Sequence, residues 1–538
     1  MTDLTFAAAV DIAAAIKSKR ISSREITQHY IERIEALDKS VNAMCVRVFE
    51  QSLDAADRAD AALARGEDFG PLHGVPMSIK ESYVLADTPA TWGVPAYRDN
   101  VAVADGLAVA RFKAAGAHFL GKTNVPIDLG DFQSFNEIYG TTNNPWDLQR
   151  TPGGSSGGSA AALAAGFTAL EAGSDIGGSI RTPAHFCGVF GHKPTWGIVP
   201  MQGHELMPGV PDADLSVCGP LARDARDLRV AMQIMAQPAG RQAVGWQLNL
   251  PQCSLDSLRG LKVAVWASDD MAPVSNDTQQ RIQHVATALE ELGAQVDYQA
   301  RPNFDVRKAH MTYESLLTAV MSSAQPESVA EKTQARVAAL DSADQSREAV
   351  VTRAAVMRHR DWIRHNFRRE KLREAWDDFF GQWDVLLCPQ FTAPAIPHDH
   401  RPFEEREISV DGEQRPYFEP LFWAGIVVAS YLPSTVFPSG VGQDGLPIGL
   451  QLVSGPYQDF KTIEISRLVS EAEEIEFAMM SLCYGGGILS PSTFAWWAAF
   501  LCQRDFSNPA HIAPRYWIGH RSAKWYPPGI QTDWIQYD

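Results

Sequence analysis

The stretch Thr-Pro-Gly-Gly-Ser-Ser-Gly-Gly-Ser at residues 151–159, followed by Gly-Ser-Asp-Ile-Gly-Gly-Ser-Ile-Arg at residues 173–181, decides how this chain is read. Between them runs an Ala-rich helical segment in which Ala162, Leu163, Phe167 and Leu170 are placed to be buried. Glycine lets the backbone turn its N–H groups toward a ligand at φ values that other residues avoid. Two Gly/Ser loops flanking a helix therefore offer anion-binding backbone beside two hydroxyls. A flexible Gly/Ser linker would not alternate with buried apolar residues in this way.

Outward from that stretch, helices and strands alternate. Ser22-Ser23-Arg24-Glu25 reads as a capping box, and Ile26, Tyr30, Ile34 and Leu37 follow near helical spacing. A second helix through Leu53 and Leu63 stops at Gly66, and a third fills 106–115 with Gly116 as its cap. Ala117 to Leu120 reads as a strand, as do Leu261 to Trp266, Ala294 to Gln299 and Trp383 to Cys388. Asp277 to Leu292 predicts a helix with Ile282, Val285, Leu289 and Leu292 inward. Thr435 to Pro438 and Ile448 to Val453 predict a hairpin around residues 442–445. This alternation argues for an α/β fold layered around a mostly buried sheet.

Composition narrows the function classes. The 538 residues are 45% hydrophobic and 21% charged, enough apolar material for a large core and too much for a disordered chain. The net charge of −17, with no Lys/Arg cluster to oppose it, argues against a nucleic-acid partner. No apolar run approaches the roughly 18 residues of a membrane span, so no membrane partner is expected. Asp3 and Asp11 interrupt the N-terminal apolar stretch, which a signal peptide would not tolerate. The seven cysteines are scattered and form no CxxC pair, so neither a metal site nor a disulfide framework is expected, and a cytoplasmic setting fits best. The C-terminal segment 476–538 differs from the rest. It holds five of the 14 tryptophans, carries Gly485-Gly486-Gly487 near its start, and reads as an extension of unknown role beyond a unit spanning 1–475.

Two short patterns point elsewhere and fail on context. Gly116 to Thr123 matches GxxxxGK[ST], but a helix precedes the first glycine and the intervening residues are bulky and strand-like, unlike a phosphate-binding loop. Gly153-Gly154-Ser155-Ser156-Gly157 fits the GxSxG elbow, yet the polar turn 143–150 stands where a buried strand is required; His185 or His192 would have to complete that triad. A third arrangement uses Lys80, at the end of the apolar run Gly74-Val-Pro-Met-Ser-Ile-Lys80. Lysine there is either a snorkelling surface residue or a desolvated one. Desolvated, it would lose its proton near neutral pH and serve as a general base for a hydroxyl nucleophile.

The paired motifs, Ser155 and Ser179 lying 24 positions apart, and Lys80 lying 75 before Ser155 together resemble the amidase signature family. Gly121-Lys-Thr-Asn124, Thr141 to Trp146 and Gly445 to Gln451 resemble further family segments, so the likeness covers about residues 1 to 475. The resemblance implies a large mixed β-sheet covered by helices on both faces. It implies a cofactor-free and metal-free amidase in which Ser179 forms the acyl-enzyme, Ser155 follows a cis peptide bond and relays a proton, and Lys80 is the ultimate base. Backbone N–H groups of Ile176, Gly177, Gly178 and Ser179 would form the oxyanion hole, with Ser156, Asp175 and Arg181 in support. Phe132 and Phe135 lie in a segment the family uses near its substrate. Leu129, Trp92, Phe422 and Trp423 join them as candidate pocket residues, because apolar and aromatic side chains line most small-molecule sites. An aromatic pocket suggests small aryl or hydrophobic amides. The alternatives are a carbamate or ester hydrolase and a glutamine-hydrolysing transamidation subunit. The resemblance also allows a homo-oligomer.

Overall fold

The computed structural model of the chain describes residues 4–206, 209–483, 511–513 and 535–537. Its strands up to residue 453 are β1 (Met44–Arg47), β2 (Pro76–Lys80), β3 (His118–Thr123), β4 (Phe135–Asn136), β5 (Gly140–Thr141), β6 (Leu170–Asp175), β7 (Phe190–Lys193), β8 (Val217–Ala222), β9 (Lys262–Val265), β10 (Gln295–Asp297), β11 (Val385–Pro389), β12 (Glu407–Val410), β13 (Glu413–Pro416), β14 (Ser434–Val441) and β15 (Pro447–Val453). Eight of them form one sheet in the order β10-β9-β11-β15-β14-β7-β8-β6. The pairs β10/β9 and β9/β11 are parallel and the remaining five are antiparallel, so the sheet is mixed.

Both faces of this sheet are buried, and the alternation along the strands explains how. Val385 and Leu387 of β11 and Val263 and Val265 of β9 join one apolar cluster, with Ile282, Val285 and Leu289 of the helix Asn276–Glu291. Leu386 and Cys388 of β11 and Ala264 of β9 point into a second cluster, with Leu316, Trp376 and Phe379 from the helices Val306–Met321 and His359–Phe380. Successive strand residues face opposite sides, so helices cover both.

The local readings hold with small shifts. The capping box is formed: Ser22 Oγ accepts from the Glu25 N–H and Glu25 accepts from the Ser22 N–H, opening the helix Ser23–Val41. The strand expected at 117–120 runs on through Gly121-Lys122-Thr123, because β3 is paired on both sides, by β1 and β2. The GxxxxGK[ST] match is thus a strand rather than a loop; a Cβ at Gly121 would collide with the Val46 carbonyl. Leu292, expected inward, is 40% exposed, since the helix ends at Glu291 and Leu292 is its cap. The boundary drawn at residue 475 falls inside the helix Asp459–Cys483. The tryptophans of the C-terminal segment lie outside the described residues. Among the described residues no helix is long and apolar enough to cross a membrane.

Candidate active site

Lys80 is the last residue of β2 and lies wholly buried. Its neighbours in the three-stranded sheet β1-β3-β2 and in β6 leave its ammonium head nowhere to snorkel. Nζ contacts Ser155 Oγ at 2.7 Å and Ser174 Oγ at 2.9 Å. Burial lowers its pKa from 10.5 to about 7, against the pull of Cys218, Asp175, Glu171 and Glu81. A large share of Lys80 is therefore an uncharged amine at neutral pH.

The turn that carries Ser155 is held by backbone and hydroxyl contacts on either side of it. Ser155 follows a cis peptide bond at Gly154 and precedes the helix Gly157–Ala164. Ser134 Oγ donates to the Gly153 carbonyl (3.0 Å) and accepts from the Gly157 N–H (3.1 Å), clamping the turn. A Cβ at Gly154 would run into the Asp131–Gln133 backbone, so only glycine lets that segment close over Ser155. Ser156 donates its N–H to the Ser179 carbonyl at 3.0 Å, joining the two Gly/Ser loops, and its Oγ lies 3.4 Å from the Ser174 backbone.

The second loop is organised by a buried ion pair. The Arg181 guanidinium grips Asp175 through Nη2 (2.9 Å) and Nε (3.1 Å), and reaches Gln451 Oε1 at 3.1 Å. Burial alone would raise the Asp175 pKa; Arg181 overcomes it and holds the carboxyl below its usual 3.8. Asp175 then accepts the N–H groups of Gly178 and Ile180, both at 3.0 Å. The Gly178 N–H, one of the donors expected in the oxyanion hole, is thus given to Asp175 in this structure. Among the described residues, the N–H groups of Ile176, Gly177 and Ser179 are left without an acceptor. Breaking such a buried pair by removing one partner typically costs about 3–5 kcal/mol, so Asp175 and Arg181 hold the loop's shape.

The pocket candidates separate. Phe132 packs edge-to-face on Phe391 and sits beside Tyr417 and Phe418, with its backbone against Gly154. Phe135 stacks on His400 at 3.9 Å. Trp92 and Leu129 are half-buried, and the Trp92 indole donates to the Ser82 carbonyl. Trp423 and Phe422, in contrast, are core: both are fully buried against Trp266, and the Trp423 N–H is spent on the Ala272 carbonyl. Their apolar character, which suggested a pocket, reflects the all-round burial of the helix Leu421–Val428. A cavity of about 870 Å³ opens between residues 393–399 and the β12–β13 hairpin, but none of Lys80, Ser155 or Ser179 lines it. His185 is bonded to Gly449 and Ala393, and His192 to Thr435 and Asp459, so neither completes a triad with Ser155.

Three residues join the site without having been singled out in the sequence. Ser174 is the second partner of Lys80. Glu171, on the same strand, is a fully buried carboxyl contacted by the hydroxyls of Ser78 and Thr123, and burial raises its pKa to about 8. A charged residue inside an apolar strand is the signal that could have found it. Tyr313 donates to the Ile176 carbonyl at 3.1 Å from a distant helix, and no local pattern announces it.

A family model described as Amidase matches residues 25–463, a span that includes the buried lysine and both serine-bearing loops. The chain belongs to the amidase family with its paired Gly/Ser signature. An indoleacetamide hydrolase from Bradyrhizobium diazoefficiens is 32% identical over 84% of this chain and 83% of its own length. A glutamyl-tRNA(Gln) amidotransferase subunit from Bdellovibrio bacteriovorus is 30% identical over 86% of this chain and 96% of its own. The solved structure of a bacterial aryl acylamidase superposes with a TM-score of 0.70 over 87% of this chain and 96% of that one; at 24% identity the likeness is one of fold.

Proposed function

We propose that this chain hydrolyses the C–N bond of small aryl or hydrophobic carboxylic amides through an acyl-enzyme on Ser179, with Ser155 and Lys80 relaying the proton. The observation that carries the reading is the buried Lys80 amine, 2.7 Å from Ser155 Oγ and with its pKa lowered by burial to about 7, so that neutral amine is available there. A neutral amine has two N–H groups and one lone pair. Ser174 Oγ takes one N–H, which turns the lone pair toward the Ser155 hydroxyl. Ser155 passes its proton to Lys80 as it takes one from Ser179, whose Oγ attacks the carbonyl carbon. The oxyanion meets the N–H groups of Ile176, Gly177 and Ser179; losing one such preorganised donor typically costs about 2.7–4 kcal/mol. Collapse breaks the C–N bond, and the proton returns along the relay to the departing amine. Water then adds to the acyl-enzyme by the same path, releasing the acid and freeing Ser179. Every proton in the cycle has a holder among these side chains, so no cofactor is invoked.

The aromatic preference rests on Phe132, whose backbone lies against Gly154 of the Ser155 loop, and on the indole amide in the name of a 32%-identical relative. A second reading, glutamine hydrolysis for a partner enzyme, is favoured by the 30%-identical amidotransferase relative. A kcat/KM panel separates them. Arylacetamides and anilides are expected to exceed acetamide and propionamide by at least about 10-fold, the gain typical of extra apolar contact. Short aliphatic amides in the lead would overturn the aryl preference, and glutamine in the lead would favour the transamidation reading. Aryl esters and carbamates belong in the same panel.

A further inference from the structure

Tyr313 lies on the helix Val306–Met321, 137 positions from Ile176, yet its hydroxyl donates to the Ile176 carbonyl at 3.1 Å. The ring is wholly buried and has a prepared seat. A Cβ on Gly425 would collide with it, so the helix Leu421–Val428 can approach only because residue 425 is glycine. The consequence lies on the other edge of the peptide. In a trans peptide the C=O and the following N–H point in opposite directions. Anchoring the Ile176 oxygen on Tyr313 therefore aims the Gly177 N–H away from Tyr313, where among the described residues it meets no acceptor. This peptide needs a restraint. It precedes two glycines, the second at φ +103°, and the Asp175 carboxylate grips the loop only from Gly178 onward. Burial also raises the Tyr313 pKa above 10, which keeps the hydroxyl protonated as a donor.

We infer that Tyr313 is a positioning residue of the oxyanion hole: its hydroxyl fixes the Ile176–Gly177 peptide so that the Gly177 N–H faces the reacting carbonyl oxygen. The inference rests on the proposed reading that this N–H stabilises a tetrahedral intermediate formed on Ser179. It gives the helix 306–321, remote in sequence from both Gly/Ser loops, a direct hold on the chemistry.

The test uses the full-length enzyme and Tyr313→Phe, which removes one oxygen and keeps the ring on Gly425. The probe is an aryl trifluoromethyl ketone, which adds to the nucleophilic serine and places an oxyanion in the hole. Expected are a fall in kcat of about 10- to 100-fold, somewhat below the loss of a whole oxyanion donor, a KM within about twofold, and a trifluoromethyl ketone Ki weakened by the same factor as kcat. Tyr313→Leu, which loses ring and hydroxyl together, should be no better than Tyr313→Phe in kcat. Full kcat and unchanged Ki in Tyr313→Phe would overturn the inference, as would a loss confined to KM; parental kcat in Tyr313→Phe beside a loss in Tyr313→Leu is the mark of packing alone. If the parent enzyme forms no adduct on Ser179 with the ketone, the reading beneath the inference fails and the inference with it. If the adduct forms normally and Tyr313→Phe is silent, only the inference fails.

Discussion

Ser179→Ala is expected to lower kcat by on the order of 10⁵-fold or more, the scale seen when the nucleophile of a comparable serine hydrolase is removed. Without Oγ no acyl-enzyme forms. The neighbouring loops are not expected to suffer, because the Ser179 backbone carbonyl, not its side chain, receives the Ser156 N–H. Binding of a substrate-like competitor should therefore survive while turnover disappears. Ser155→Ala should also reduce kcat strongly. The double variant with Ser179 should be no worse than Ser179→Ala alone, since residues that act as one unit lose their effect together. A Ser179→Ala enzyme that retains a tenth of parental kcat would remove the acyl-enzyme from the account. Steady-state rates, with active-site titration to exclude parental contamination, decide it.

Lys80→Met should pull activity and stability in opposite directions. Activity falls by several orders of magnitude because the relay ends on Lys80 Nζ. In the parent, kcat/KM should climb with pH through about 7 as Lys80 gives up its proton; any residual rate in Lys80→Met should lack that limb. The unfolded chain keeps the lysine proton up to about 10.5 and the folded chain loses it near 7, so between those values the unfolded state binds more protons and parental stability rises with pH. Below pH 7 the burial of Lys80 costs up to about 5 kcal/mol, at roughly 1.36 kcal/mol per pKa unit. Lys80→Met should accordingly show the higher denaturation midpoint at pH 7, with the gap narrowing toward pH 10. A variant less stable than the parent at pH 7 would mean that Lys80 is not desolvated as described. Destabilised functional groups of this kind are a recurrent cost of activity.

How far the molecule is legible in its sequence depends on the range of the interaction. The strand under Lys80, the helix after the capping box and the hairpin β14–β15 follow from local patterns: an apolar run, a Ser…Glu reciprocal cap, a Gly-rich turn between two strands. The proposed relay is legible for a different reason, because Ser155 and Ser179 announce themselves within two short Gly/Ser loops. What stays hidden is set by contacts between distant segments. Nothing near Tyr313 signals a bond to residue 176, and no motif distinguishes an aromatic in a pocket wall from Trp423, whose burial depends on where Trp266 and Ala272 arrive. The Gly178 N–H illustrates the same limit at close quarters. The family resemblance implies a place for it in the hole, while the structure shows it donating to the Asp175 carboxylate, which Arg181 holds.

The most direct test of the relay is to treat the enzyme with a fluorophosphonate and map the labelled peptide by mass. The account predicts a single adduct on Ser179 that forms faster as the pH rises through about 7 and is lost in both Ser179→Ala and Lys80→Met. An adduct on Ser155, or labelling of Ser179 that is indifferent to Lys80, would contradict it.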